Sequence, residues 1–124
     1  MKISYKALLS TFLVGAVLFL AVPMASAHAH PKVMVPAADS AGPSPAVVSI
    51  TYSEAVEPKF STISVTDADG KKKFNTATAM PVANDPKTMT LALPTLQPGS
   101  YVVHWVSVAA DGHRLEGQYS FTVR

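Results

Sequence analysis

The 124-residue chain contains no cysteine. That excludes disulfide staples and every thiolate metal site, leaving nitrogen, oxygen and thioether as the available ligands. Charge is sparse, with Asp, Glu, Lys and Arg supplying 15% of the residues. Beyond residue 27 no ten-residue window carries a convincing apolar helical face, which argues against a helical bundle. There is one tryptophan, so an extended aromatic platform for a flat substrate is also lacking.

The one long apolar run lies at the start. Lys2 and Lys6 precede an apolar stretch over about residues 7–22, which ends in Pro23-Met24-Ala25-Ser26-Ala27. A basic start, an apolar core and small residues at the end make a secretory signal peptide, residues 1–27, with cleavage after Ala27. The run is short for a membrane span of about 20 residues, and no cysteine is present to accept lipid. The product should be soluble and exported. Ala29 offers a second acceptable cleavage point, which would leave His30 as the first residue.

Removing Lys2 and Lys6 leaves eight basic against eight acidic residues, a formal charge of zero. Nothing in that balance favours nucleic acid or an anionic membrane. Residues 28–124 are enough for one domain, which must rely on its apolar core. Its period is two almost throughout. Val48, Ile50 and Tyr52 alternate with polar residues, as do Ile63 and Val65, while Met89, Leu91 and Leu93 alternate with Thr90 and Ala92. Tyr101, Val103 and Trp105 continue the pattern, and Tyr119, Phe121 and Val123 close it. A further strand fits His30 to Val35. Turn signals separate the strands at Gly42-Pro43-Ser44-Pro45, Asp69-Gly70, Asn84-Asp85-Pro86 and Pro98-Gly99. About seven short strands predict an all-β fold, a seven-stranded antiparallel Greek-key β-sandwich of immunoglobulin-like or cupredoxin-like type.

Cleavage after Ala27 makes His28 the N-terminus, so one residue would carry both a free amine and an imidazole. Asp111-Gly112-His113 lies in a connection expected over residues 109–117. Residues spaced by one in extended chain point to the same side, and Gly112 lets the backbone bend them around an ion. One amine, two imidazoles and a carboxylate form a nitrogen-rich set, and tetragonal N,O coordination suits Cu(II). Asp-Gly pairs are also common in ordinary polar turns. The metal reading therefore requires folding to bring the two ends together.

Residues 28–124 resemble the periplasmic copper-resistance proteins of the CopC family, small Cu(II)-binding β-sandwiches. The resemblance rests on His28-Ala29-His30-Pro31-Lys32 with Pro36-Ala37-Ala38-Asp39-Ser40, and on Tyr52-Ser53-Glu54. Asp85-Pro86-Lys87-Thr88-Met89, Pro98-Gly99-Ser100-Tyr101 with Trp105, and Asp111-Gly112-His113 with Gly117 and Phe121-Thr122-Val123 complete it. The resemblance implies a histidine brace, in which His28 gives its amine and imidazole, His113 a second imidazole and Asp111 a carboxylate. Glu54 would be a weak axial or neighbouring group. It further implies a periplasmic location, a monomer, and transfer of the copper ion to an inner-membrane copper transport protein of the CopD type.

Two positions depart from the family. A methionine-rich Cu(I) loop is reduced to Met80 within residues 71–84, while Met34 and Met89 fall in strand patterns that suit packing. His104 replaces an acid that often precedes the tryptophan, and a structural histidine is expected there. His30 also opens a rival to the brace, because a free amine followed by Ala29 and His30 can chelate Cu(II) locally through two backbone nitrogens. In the folded brace, His30 would instead be a hydrogen-bonding neighbour. Three functions follow: a non-enzymatic copper carrier or buffer, which is favoured; a copper monooxygenase; or a structural immunoglobulin-like domain with incidental histidines. Asp111 as a ligand would fill a position that oxygen activation needs open, which weighs against the monooxygenase.

Overall fold

The computed structural model describes residues 28–124. The expected signal peptide, residues 1–27, lies outside them. Every regular element among the described residues is a strand: β1 (Pro31–Val35), β2 (Ala41–Gly42), β3 (Val47–Tyr52), β4 (Thr62–Asp67), β5 (Met80–Val82), β6 (Asp85–Ala92), β7 (Gly99–Val108) and β8 (Arg114–Val123). They form two four-stranded sheets, ordered β1-β3-β6-β5 and β2-β8-β7-β4. The all-β sandwich expected from the alternation is the fold.

Three details differ from that expectation. There are eight strands instead of about seven: the six named from the sequence, and β2 and β5, which are two and three residues long and carry no alternating pattern. β2 runs parallel to β8, so the sandwich is not wholly antiparallel. Asn84-Asp85-Pro86 is only partly a turn: Asn84 takes the left-handed conformation at φ 61°, while Asp85 and Pro86 already belong to β6. Pro86 lies beyond the part of β6 that pairs with β3, so its missing N–H breaks no bond of that ladder.

Register explains the core. Val48 opposes Leu91 and Ile50 opposes Met89 across β3 and β6, and Val65 opposes Val103 across β4 and β7. All six side chains are fully buried, and each contributes about 1.5–3 kcal/mol by leaving water. Across β7 and β8, Tyr101 opposes and stacks on Phe121 at 5.6 Å. Both edges of the first sheet carry a proline and a break in register: Pro31 in β1, with a shift between residues 31 and 33, and Pro81 in β5, with a shift between residues 81 and 82.

Trp105 opposes Gly117 and meets Tyr52 of the other sheet edge-on at 6.0 Å. A Cβ placed on Gly117 would lie 2.6 Å from the Trp105 ring, so the indole occupies the space that a side chain would fill. The hydroxyls of Tyr52 and Tyr119 are buried without a hydrogen-bond partner. Burial pushes Tyr119 up from the ordinary phenol value of 10 to about 12. Burial, and then the neighbouring Tyr119, push Tyr52 up as well.

Gly117→Ala should cost about 1–3 kcal/mol in a urea denaturation series, the range for overpacking a filled site. The phenols give a pH dependence of known sign. They stay protonated to higher pH in the folded chain, so their contribution is intact below pH 10 and is lost as pH rises towards about 12. Tyr119→Phe should leave stability at neutral pH unchanged or slightly improved, since no bond is lost, and should raise the pH midpoint of alkaline unfolding followed by circular dichroism.

Candidate metal centre

The first described residues are held by both sheets. Ala29 is 1% exposed, within the core, and the buried Ser107 of β7 donates its hydroxyl to the Ala29 carbonyl. At the end of β3 the backbone N–H of Ser53 donates to the His30 carbonyl at 2.8 Å. The Ser53 hydroxyl oxygen lies 3.1 Å from the His28 carbonyl and accepts the His30 N–H at 3.1 Å. With Ala29 turned inward, the side chains of His28 and His30 are left exposed.

The second component is the hairpin between β7 and β8. Its ladder continues to Val108 opposite Arg114, so the connection spans residues 109–113 and is shorter than the expected 109–117. Residues 114–117 extend β8 through backbone pairing with residues 105–108 of β7. Gly112 sits at φ 88°, where glycine carries no steric cost, and donates its N–H to the Ala109 carbonyl; Ala109 in turn donates to the His113 carbonyl. The β3–β4 connection supports this loop from the side, through a bridge between Val56 and Ala109 and a bond from the Glu57 N–H to the Val108 carbonyl.

These anchors place the His28 and His113 rings 4.9 Å apart, centroid to centroid, at an interplanar angle of 88°. The early and late parts of the chain meet at these two rings. Both oxygens of Asp111 engage His113: Oδ1 accepts its backbone N–H at 3.0 Å and Oδ2 accepts from its ring Nδ1 at 2.7 Å. Those bonds, backbone first, hold the Asp111 carboxyl below the usual carboxylate range, with smaller help from His28. Asp111 is therefore ionised wherever imidazole could bind a metal.

The other candidates are not assembled with this set. Among the described residues no three His, Asp or Glu side chains, His28, Asp111 and His113 included, are grouped closely enough to hold a metal ion. Glu54 is half-buried beside Ser53, and no hydrogen bond of its carboxylate is formed with the His28–His113 pair. His30 turns its Nδ1 towards Ser53, 3.2 Å from the hydroxyl. His104 stands mid-strand with its Nε2 2.9 Å from the Thr66 hydroxyl. Met89 is buried, Met34 packs against the core, and Met80 is exposed on β5.

Sequence reading assigned no role to Ser53 or Ser107. Ser107 carried a signal, since it falls at the inward parity of Tyr101, Val103 and Trp105, and a polar side chain on a core face needs a partner. Ser53 lay inside the Tyr52-Ser53-Glu54 segment, but its partners are 23 and 25 residues away and no local pattern announces them.

Comparison with known proteins places the fold in a family. Residues 32–124 match the CopC domain family. The chain is 39% identical to Copper resistance protein C of Escherichia coli, over the full length of both. The crystal structure of CopC from Methylosinus trichosporium OB3b superposes with a TM-score of 0.72 at 37% identity, covering 77% of this chain and 93% of the other. PcoC, a methionine-rich copper resistance protein from Escherichia coli, superposes with a TM-score of 0.66 at 35% identity, covering 78% and 99%. With its whole β-sandwich domain matched in sequence and in fold, this chain belongs to the CopC family of copper resistance proteins.

Proposed function

We propose that the protein is exported by cleavage after Ala27 and binds Cu(II) in the periplasm as a non-catalytic carrier or buffer. The observation that carries this reading is the contact between the His28 and His113 rings, two residues 85 positions apart in sequence. Cleavage would add the His28 amine beside its own imidazole. Asp111 Oδ2 and His113 Nδ1, at 2.7 Å, have the spacing of two adjacent donors on a metal with bonds of about 2 Å. Copper would displace the proton of His113, and His28, His113 and Asp111 would give it a set of three nitrogens and one oxygen.

Such a set holds copper as Cu(II) and offers no soft sulfur to favour Cu(I). That chemistry fits limiting free copper and delivering it. The copper ion is the cargo, and an inner-membrane transport protein of the CopD type is the recipient implied by family membership. We assign a monomer and no enzymatic activity.

The test is electron paramagnetic resonance and competition titration on protein that begins at His28. His113→Ala should change the ligand set and lower Cu(II) affinity by more than the roughly 10–100-fold expected for losing an outer partner of a ligand. Asp111→Asn should weaken binding in the same direction. Adding one residue before His28 should weaken binding far more than removing Arg124, and full affinity in the extended protein would exclude the brace. Because copper displaces protons from amine and imidazole, affinity should decline as pH drops below about 6, where free imidazole titrates.

A further inference from the structure

We infer that Ser53 is a positioning residue that sets which of two coordination modes the N-terminal tripeptide offers to copper. The inference rests on the copper-site reading above. A chain starting His28-Ala29-His30 has two ways to hold Cu(II). In the brace, the metal takes the His28 amine and ring and then crosses to the β7–β8 loop. In the local chelate, it takes the amine, the backbone nitrogens of Ala29 and His30, and the His30 ring, and it needs nothing else from the fold. The two modes share the amine and so exclude each other.

The structure commits the groups that the local chelate needs. The His30 backbone nitrogen, a required donor in that mode, gives its N–H to the Ser53 hydroxyl at 3.1 Å. The His30 ring is turned to the same oxygen, with Nδ1 at 3.2 Å. The His28 carbonyl lies 3.1 Å from that oxygen as well, and the Ser53 N–H holds the His30 carbonyl at 2.8 Å. One hydroxyl has one proton, which goes to the His28 carbonyl or to His30 Nδ1; in either arrangement its lone pair still accepts from the His30 amide. To wrap copper locally, the chain would have to break the hydrogen bond of the His30 amide, free the His30 ring from Ser53 and from the His28 carbonyl 3.3 Å away, and turn Ala29 out of the core against its bond to Ser107.

The two serines divide this work. Ser107 holds Ala29 from β7 and fixes where the tripeptide enters the sandwich. Ser53 touches His28 and His30, the two residues whose rings distinguish the modes. Without its hydroxyl, the His30 amide becomes available and its ring keeps only the His28 carbonyl, 3.3 Å from Nδ1, while the bond from the Ser53 backbone remains. The local chelate, with its contiguous donors, then competes for the metal.

The experiment compares Ser53→Ala, Ser53→Thr and Ser53→Ala/His30→Ala with the unsubstituted protein, each beginning at His28 and loaded with one equivalent of Cu(II). The unsubstituted protein should give a spectrum that depends on His113. Ser53→Ala should shift to a four-nitrogen signal in electron paramagnetic resonance, with its visible band at shorter wavelength, and should lose its dependence on His113. That signal should vanish in Ser53→Ala/His30→Ala, and Ser53→Thr should restore the original spectrum by restoring the hydroxyl. A Ser53→Ala spectrum unchanged and still dependent on His113 overturns the inference while leaving the brace standing. Independence from His113 in the unsubstituted protein overturns the brace, and the inference with it. A measurement without substitutions guards against misfolding: hydrogen exchange at the His30 amide of the metal-free protein should be slower than in a free His-Ala-His peptide. Equal rates would also overturn the inference.

Discussion

The structure depends on how the start of the domain is tied down. Ala29 contributes one methyl group to the core, but its carbonyl accepts a buried hydroxyl from the second sheet while the residues on either side are bonded to the end of the first. An N-terminal segment is ordinarily among the least ordered parts of a domain. Here the two sheets grip it from opposite sides, and the position of the His28 ring follows from those few bonds. Loosening them would disperse the ring over many positions and separate it from the late loop.

The late loop is fixed by different means. It is the tip of the longest hairpin in the described residues, β7 with β8, and it inherits the stiffness of a ladder that pairs ten residues on each side. Val56 and Glu57 brace it from the neighbouring connection. Asp111 then fixes the orientation of the His113 ring through two bonds. The flexible element between them, Gly112, is confined to one turn. The site therefore combines a segment held by side-chain hydroxyls with a loop held by backbone, and neither uses a cross-link.

Much of the fold was legible because half-buried strands record their orientation in the parity of their residues. Val48, Ile50 and Tyr52, or Tyr119, Phe121 and Val123, could not face the core in any other conformation as economically. What parity does not record is an edge strand with no buried face, which is why Met80–Val82 and Ala41–Gly42 passed as loop. Nor does it record where a hairpin tip begins, since the β8 ladder runs on through Arg114–Gly117 on backbone bonds that any residue can make. The same division applies at the site. His28, Asp111 and His113 were visible as residue types with metal chemistry. Ser53 and Ser107, which set the position of His28, are common residues whose meaning comes from partners 23 and 78 residues away.

The prolines at the rims of the first sheet have a consequence for how the molecule behaves among its own copies. An outermost strand offers unpaired N–H and C=O groups to any passing chain, and the exposed Val33, Val35 and Met80 would make such an encounter adhesive. Pro31 and Pro81 each remove a donor from that row, and the adjoining breaks in register bend what remains out of line. A neighbouring sandwich therefore finds no straight edge to extend on that sheet.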